Sequence, residues 1–376
     1  MSETIRSAKE RDLAGLLALE ERCFDGDRLS RRSFKAFIRD GAHQLFVCEE
    51  QGALCGYALL LYRRGTLLAR LYSLAVDPAL RGRGIAQQLL AEGEQRARQR
   101  GCVFLRLEVR EDNSAAIALY RRSGYRHFDR VGDYYHDGCS AIRMEKRLRS
   151  APPSTAGDAP RYYRQTTEFT CGPACLLMAM HDIDPSSPMS RRAELQIWRE
   201  ATTIFMGSGH GGCSPHGLAL AALRRGFRCT LYINDSGTPF IDSVRSVQKR
   251  QLMEVVHRDF EDQLREHQAD IRIASLDKAQ LTELLNKHQH IVALISTWAL
   301  DRQRAPHWVY VYRSDADTVY INDPDSNCAS GLSLDDSDSD WQSETDYRHV
   351  PISLDQFSAM ASFGKRRLRC LLALDK

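Results

Sequence analysis

Cys171 stands just ahead of an apolar run, residues 174–180, in a chain of 376 residues. Pro173 suits the first turn of a helix and the run is apolar on every side, which predicts a buried helix with Cys171 at its N-terminus. A thiol in that place ionises readily, because the helix dipole favours thiolate. To attack a carbonyl it also needs an imidazole, and the imidazole needs an acceptor to orient it. His307 opens a strand expected over 306–312, and Asp323 lies near the end of one expected over 318–324. Hairpin pairing through 314–317 would bring the two to one edge. Without that pairing, a lone histidine at a strand start is more often structural. Cys175, one turn deeper, reads as a packing residue.

A second chemistry is written around Arg81-Gly82-Arg83-Gly84-Ile85-Ala86. This stretch follows an apolar run, 71–76, closed by Asp77-Pro78, and opens an amphipathic pattern reaching about Arg100. The order is strand, glycine turn, helix. Glycines at 82 and 84 let backbone N–H groups converge, and the helix start and two arginines add positive charge, an arrangement suited to phosphate. Alone, two glycines after a strand are more often a tight connection.

The elements that must position these groups follow from periodicity. A strand is expected over 4–8, helices over 12–24 and 31–39, and paired strands over 44–48 and 53–62. In the helix after the glycine turn, Ile85, Leu89, Gly93 and Ala97 fall four apart on one face, and Gly101 ends it. Leu105, Leu107 and Val109 alternate with Arg106 and Glu108, placing Glu108 on the opposite strand face from the aliphatic row. Asn113 can cap a helix over 114–122 that carries Tyr120 and stops at Gly124. Glu108, Asn113 and Tyr120 can thus border one crevice with the glycine turn.

The ordered set Val76-Asp77-Pro78, Arg81-x-x-Gly84-x-Ala86, Leu107-Glu108-Val109-Arg110, Asn113-x-x-Ala116-x-x-Leu119-Tyr120 and Gly124-Tyr125 resembles the GNAT N-acetyltransferases. Asp133-Tyr134-Tyr135 and Ala141-Ile142-Arg143-Met144 make it most similar to the branch that acetylates the N-terminal amine of a ribosomal protein. The resemblance implies a GNAT fold, a mixed sheet flanked by helices, over residues 1–149. It also implies acetyl-coenzyme A, with the pyrophosphate on the amides of Arg81, Gly82, Arg83, Gly84, Ile85 and Ala86. The pantetheine arm would run along Leu74, Ala75 and Val76, and Asn113 would touch the cofactor. Glu108, through water, would be the base and Tyr120 the acid. Ala86 stands where the pattern often has glycine. Outside this motif Glu108 would read as a solvated strand residue and Tyr120 as a core aromatic.

Residues 150–161, rich in Pro, Ala and Ser, read as a semi-extended linker. Beyond it, Gln165-x5-Cys171-Gly172-Pro173-Ala174, His307-Trp308-Val309 and Asn322-Asp323-Pro324 resemble the papain-like peptidases that remove double-glycine leaders from bacteriocin precursors. That resemblance implies a papain-like fold of α+β class over 162–376. Cys171 would be the nucleophile, His307 the base, Asp323 its orienter and Gln165 a donor to the oxyanion hole. Thr170 stands where those peptidases usually have Asp. An alternative is a peptide-binding module that presents substrate without cutting it, although such a module has no need of all four residues.

Between Cys171 and His307, helices are expected near 190–201 and 214–225 and a strand over 227–233. An amphipathic stretch, 244–264, carries Val247, Leu252, Val255, Val256 and Phe260 on or near one face and reads as core packing. His210-x2-Cys213-x2-His216 has zinc-like spacing but no apparent fourth ligand, so the glycine-rich loop is read as lining a peptide cleft and no metal is expected. The acidic run 335–340 reads as a solvated loop, and 368–374 as a closing strand.

Composition bounds the rest. A chain of this length suits two domains, and 43% apolar residues suffice for two cores. A net charge of +3 with scattered basic residues disfavours nucleic acid as a partner. Eleven cysteines at irregular spacing point to reduced thiols. With a polar opening and no apolar run long enough for a bilayer, the expectation is a cytoplasmic enzyme without a membrane anchor, acting on a protein or peptide.

Overall fold

In the computed structural model the chain divides into two compact units, Met1–Ser154 and Thr155–Lys376. The structure describes residues 3–149, 160–202, 211–302, 305–325 and 346–376. The expected linker lies almost wholly outside these, as do the acidic run and residues 207–210 of the glycine-rich loop, His210 among them.

The first unit runs β1 (Thr4–Ser7), α1 (Leu13–Cys23), α2 (Arg31–Arg39), β2 (Gln44–Glu50), β3 (Ala53–Tyr62) and β4 (Leu68–Val76). It continues with α3 (Ile85–Gln99), β5 (Phe104–Arg110), α4 (Ser114–Arg122), β6 (Arg126–Val131) and β7 (Ala141–Arg147). The strands form one sheet in the order β1-β2-β3-β4-β5-β7-β6, with β4 and β5 parallel. Alternation sends Leu105, Leu107 and Val109 into a core shared with Leu89 and Ala97 of α3. The other face is held by charge: Arg106, 1% exposed, bonds Glu145 at 3.0 Å from the facing position on β7.

The parallel pairing is short, and that shortness makes the site. β4 and β5 pair from Leu68↔Phe104 to Leu71↔Leu107 and then part, although β4 continues to Val76 and β5 to Arg110. On its other edge β4 pairs Leu71 with Leu60 and Ser73 with Leu59, so Tyr72 is an extra residue, a bulge. A bulge bends its strand, and this one lies where the two strands fork.

The second unit comprises α5 (Cys171–Ile183), α6 (Arg191–Ala201), α7 (Pro215–Leu223), β8 (Arg228–Ile233), α8 (Val247–Glu266), β9 (Asp270–Ile273), α9 (Lys278–Lys287) and β10 (His290–Ser296). After these come α10 (Trp298–Asp301), β11 (Pro306–Asp315), β12 (Thr318–Asn322), β13 (Val350–Ser353), α11 (Leu354–Met360) and β14 (Cys370–Asp375). Its sheet has the order β13-β12-β11-β10-β14-β8-β9 and is antiparallel except for β8 with β9. The unit is therefore mixed α/β. Leu231, Leu294 and Tyr310 pack with α5, α6 and α7 on one face, while Tyr232, Ile295 and Val309 pack with α9 and α11 on the other. The chain's last strand does not close an edge: β14 lies between β10 and β8, apolar on both faces.

One packing expectation needs correction. On α8 the buried residues are Met253, His257, Phe260 and Leu264, spaced by three and four. Val247, Leu252 and Val255 are exposed, at 62%, 49% and 62%, because helical geometry puts them on the other side.

Candidate active sites

In the second unit, Cys171 is the first residue of α5 and 7% exposed. Its turn is wedged between α7 and β11: a Cβ on Gly172 would meet Leu218 at 3.0 Å and Trp308 at 3.1 Å. The β11–β12 hairpin brings His307 and Asp323 together as expected, with His307 Nε2 2.8 Å from Asp323 Oδ1. The Cys171 thiol lies close enough to the same imidazole to help raise it. Since Nε2 is occupied by the carboxylate, Nδ1 is the nitrogen left for sulfur. Burial pulls the His307 pKa down, but Asp323 and the thiol outweigh it and hold the imidazole well above its ordinary value.

Asp323 is itself fixed. Its Oδ1 accepts from the Asp325 N–H at 3.1 Å, its own N–H donates to Tyr347 O at 2.9 Å, and its carbonyl accepts from Tyr162 Oη at 2.8 Å. Gln165, 8% exposed, is tied to this corner by its N–H on Pro324 O at 3.0 Å. The sequence reading missed what holds that segment. Glu194 of α6, fully buried, accepts from Tyr163 Oη at 3.0 Å and from Thr166 N–H and Oγ1 at 2.8 and 2.7 Å. An acid inside an otherwise amphipathic helix was the available signal. Asp325 was also missed; burial raises its carboxyl, with the His307 charge pulling against and Asp323 adding.

Two other cysteines near the thiol have different characters. Cys175 donates to Trp308 O at 3.3 Å, and burial pushes its thiol well up, as it does that of Cys213. Both remain thiols.

In the first unit, Glu108 is the first β5 residue past the last β4–β5 pair, so it stands in the angle of the fork. Its carboxylate lies 3.0 Å from Arg70 Nε and 3.9 Å from Arg143 Nε, and Arg143 also holds Asp129 at 3.0 Å. These two arginines were not foreseen as partners; cations inside apolar strands were the clue. Leu74, Ala75 and Val76 lie beyond the fork, paired to Ala58, Tyr57 and Gly56 on one edge and facing the gap with the other. Peptide groups on such an edge need a partner, and an extended amide-bearing ligand supplies one.

Past β4, Gly82 and Gly84 adopt φ of 82° and 84°. A Cβ at either would meet nothing within 4 Å, so left-handed backbone rather than crowding requires glycine here. Gly84 is the N-cap of α3, whose first N–H groups lack intrahelical acceptors. Arg81, Gly82, Arg83, Gly84, Ile85 and Ala86 thus present a turn fit for an anion through their amides. The side chains share less in it than expected. Ile85 is in the core, and the Arg83 guanidinium is held by Glu50 at 2.7 and 3.0 Å. Asn113 caps α4, accepting from Ala116 N–H at 3.0 Å. Tyr120, on the same helix, is 8% exposed, and burial pushes its phenol up to about 12.

Two family models match separate segments of the chain. The acetyltransferase (GNAT) family model matches residues 13–125, so the N-terminal unit is a GNAT acetyltransferase domain. The Peptidase_C39 like family model matches residues 160–375, more than half of the chain, and the chain belongs to that family. Among solved structures it is similar to the ribosomal-protein-S18-alanine N-acetyltransferase from Escherichia coli, with 28% identity and a TM-score of 0.37, covering 42% of this chain and 100% of that one. It is also similar to a ribosomal-protein-alanine N-acetyltransferase from Brucella melitensis, with 26% identity and a TM-score of 0.34, covering 38% and 99%. Among the described residues no helix is long and apolar enough to cross a membrane.

Proposed function

We propose that the chain is a two-site enzyme. The GNAT unit transfers acetyl from acetyl-coenzyme A to an amine of a protein or peptide, the α-amine foremost, and the C39-like unit is a cysteine peptidase. The observation that carries the reading is the His307–Asp323 pair at 2.8 Å with the Cys171 thiol, at the start of α5, near enough to act on the same imidazole. Cys171 sulfur attacks the peptide carbonyl, Gln165 and the start of α5 stabilise the oxyanion, and His307 passes the thiol proton to the leaving amine. Water, deprotonated by His307, then cleaves the Cys171 thioester to release the carboxylate and restore the thiol. Asp323 keeps the ring oriented.

In the first unit the amides of the 81–86 turn hold the coenzyme pyrophosphate, and the edge of Leu74–Val76 that is not paired with β5 holds its pantetheine arm. The coenzyme supplies an activated thioester. Glu108, in the fork, takes a proton from the substrate ammonium through water, and Tyr120 protonates the departing thiolate. A phenol with a pKa of about 12 keeps its proton until that moment.

The two chemistries can act in series, because peptide cleavage exposes a new α-amine and amine acetylation caps one. Intact-mass analysis of a peptide library incubated with the full chain, with and without acetyl-coenzyme A, tests this. Fragments that appear in both and gain acetyl only with the cofactor are expected. Acetylation of uncut peptides alone would mean that the C39-like unit binds without cleaving.

A further inference from the structure

His216 is the second residue of α7, and His257 and Glu261 lie one turn apart on the buried side of α8. Both histidines are 4% exposed, with ring centroids 4.6 Å apart and planes at 84°. His216 Nδ1 and both ring nitrogens of His257 are buried and have no hydrogen-bond partner. Buried polar groups are normally satisfied, and three such nitrogens in one contact are an exception that calls for a missing partner.

The chemistry of the set says which. One ligand atom from each of His216, His257 and Glu261 lies within 4.8 Å of the others. His257 Nε2 and Glu261 Oε1 are 3.5 Å apart, close to the edge of about 3.4 Å for a tetrahedron with zinc-type bonds. Burial holds His216 down to about 3 and lowers His257 as well, so both rings are neutral and offer lone pairs. The Glu261 side chain is 38% exposed, which leaves a route of entry. Two neutral imidazoles with one carboxylate suit a borderline divalent ion of the zinc class, with a fourth position open to water.

We infer that His216, His257 and Glu261 form a binding site for a divalent transition-metal ion, zinc foremost, that ties α8 to α7. The site differs from the His-x2-Cys-x2-His spacing visible in the sequence. Only His216 belongs to both. Since α7 also packs on the first turn of α5, the ion would brace the helix beside Cys171.

The test uses the full chain, stripped with chelator and titrated with Co²⁺ and then Zn²⁺. One equivalent of Co²⁺ should bind with intense visible bands of four-coordinate nitrogen–oxygen ligation, and Zn²⁺ should displace it. Glu261→Gln, at a half-exposed position that leaves the core intact, should weaken binding about tenfold or more, and His257→Gln should abolish the bands. Zinc should raise the thermal midpoint of the wild type and not that of His257→Gln. A wild type that binds no Co²⁺ at 100 µM overturns the inference, as does stoichiometric binding with the same spectrum in Glu261→Gln and His257→Gln. Sulfur-to-cobalt charge-transfer bands would overturn it too, by assigning the ion to cysteines.

Discussion

The two units hold their reactive groups in opposite ways. In the C39-like unit, strand start and strand end meet within the chain beside the helix start, and His307 and Asp323 touch at 2.8 Å. In the GNAT unit the fork keeps strands apart, and Glu108 faces Arg70 and Arg143 rather than Tyr120. On the proposed reading, a peptidase needs only its substrate to complete the site, so Cys171, His307 and Asp323 can be assembled in advance. A transferase must leave room for a second substrate, and on the proposed reading the broken β4–β5 pairing supplies it.

The sharpest way to break the comparison is Cys171→Ala. Cleavage should fall about a thousandfold or more while acetyl transfer stays unchanged. Loss of both activities in a folded variant would mean that the sites are one machine. Glu108→Gln should lower kcat for acetyl transfer about a hundredfold with coenzyme affinity nearly unaltered. If coenzyme binding and turnover fell equally in calorimetry and steady-state assays, the carboxylate would be holding the fork through its arginines and not moving a proton.

Gly84→Ala probes the turn alone. A non-glycine residue at φ 84° costs about 1–2 kcal/mol, so the dissociation constant for coenzyme A should rise about tenfold without change in cleavage. The smallest effect concerns pH. The folded-state pKa of His307 lies above its unfolded value, so the stability it adds is full below the unfolded value and fades as pH rises through the folded one. Asp323→Asn removes a raising partner. The alkaline limb of kcat/KM for peptide cleavage should therefore move to lower pH, and an unmoved limb would assign the raised value to the thiol contact.

Much of this was legible in the chain. The period-3.6 pattern marked α2 to the residue, because it buries one face, and β3 was marked by a continuous apolar run, because it is buried on both faces. Asn113 as a cap and Gly101 as a stop were readable because their backbone roles are local. Strands such as β9, four residues long and mostly exposed, escaped because they carry too little pattern. On α8 the apolar residues overfill one stripe, so which of them faces the core was undecidable from spacing alone.

By itself the sequence determined most of the longer elements, the two candidate sets of reactive residues and the hairpin that joins His307 to Asp323, since these depend on residue type and short spacing. Tertiary structure decided where β14 inserts, which side of α8 is buried, that Glu194 anchors the Gln165 segment, and that His216 meets His257. Those pairings join residues 28 to 41 positions apart or more in the chain, and only packing selects among such partners.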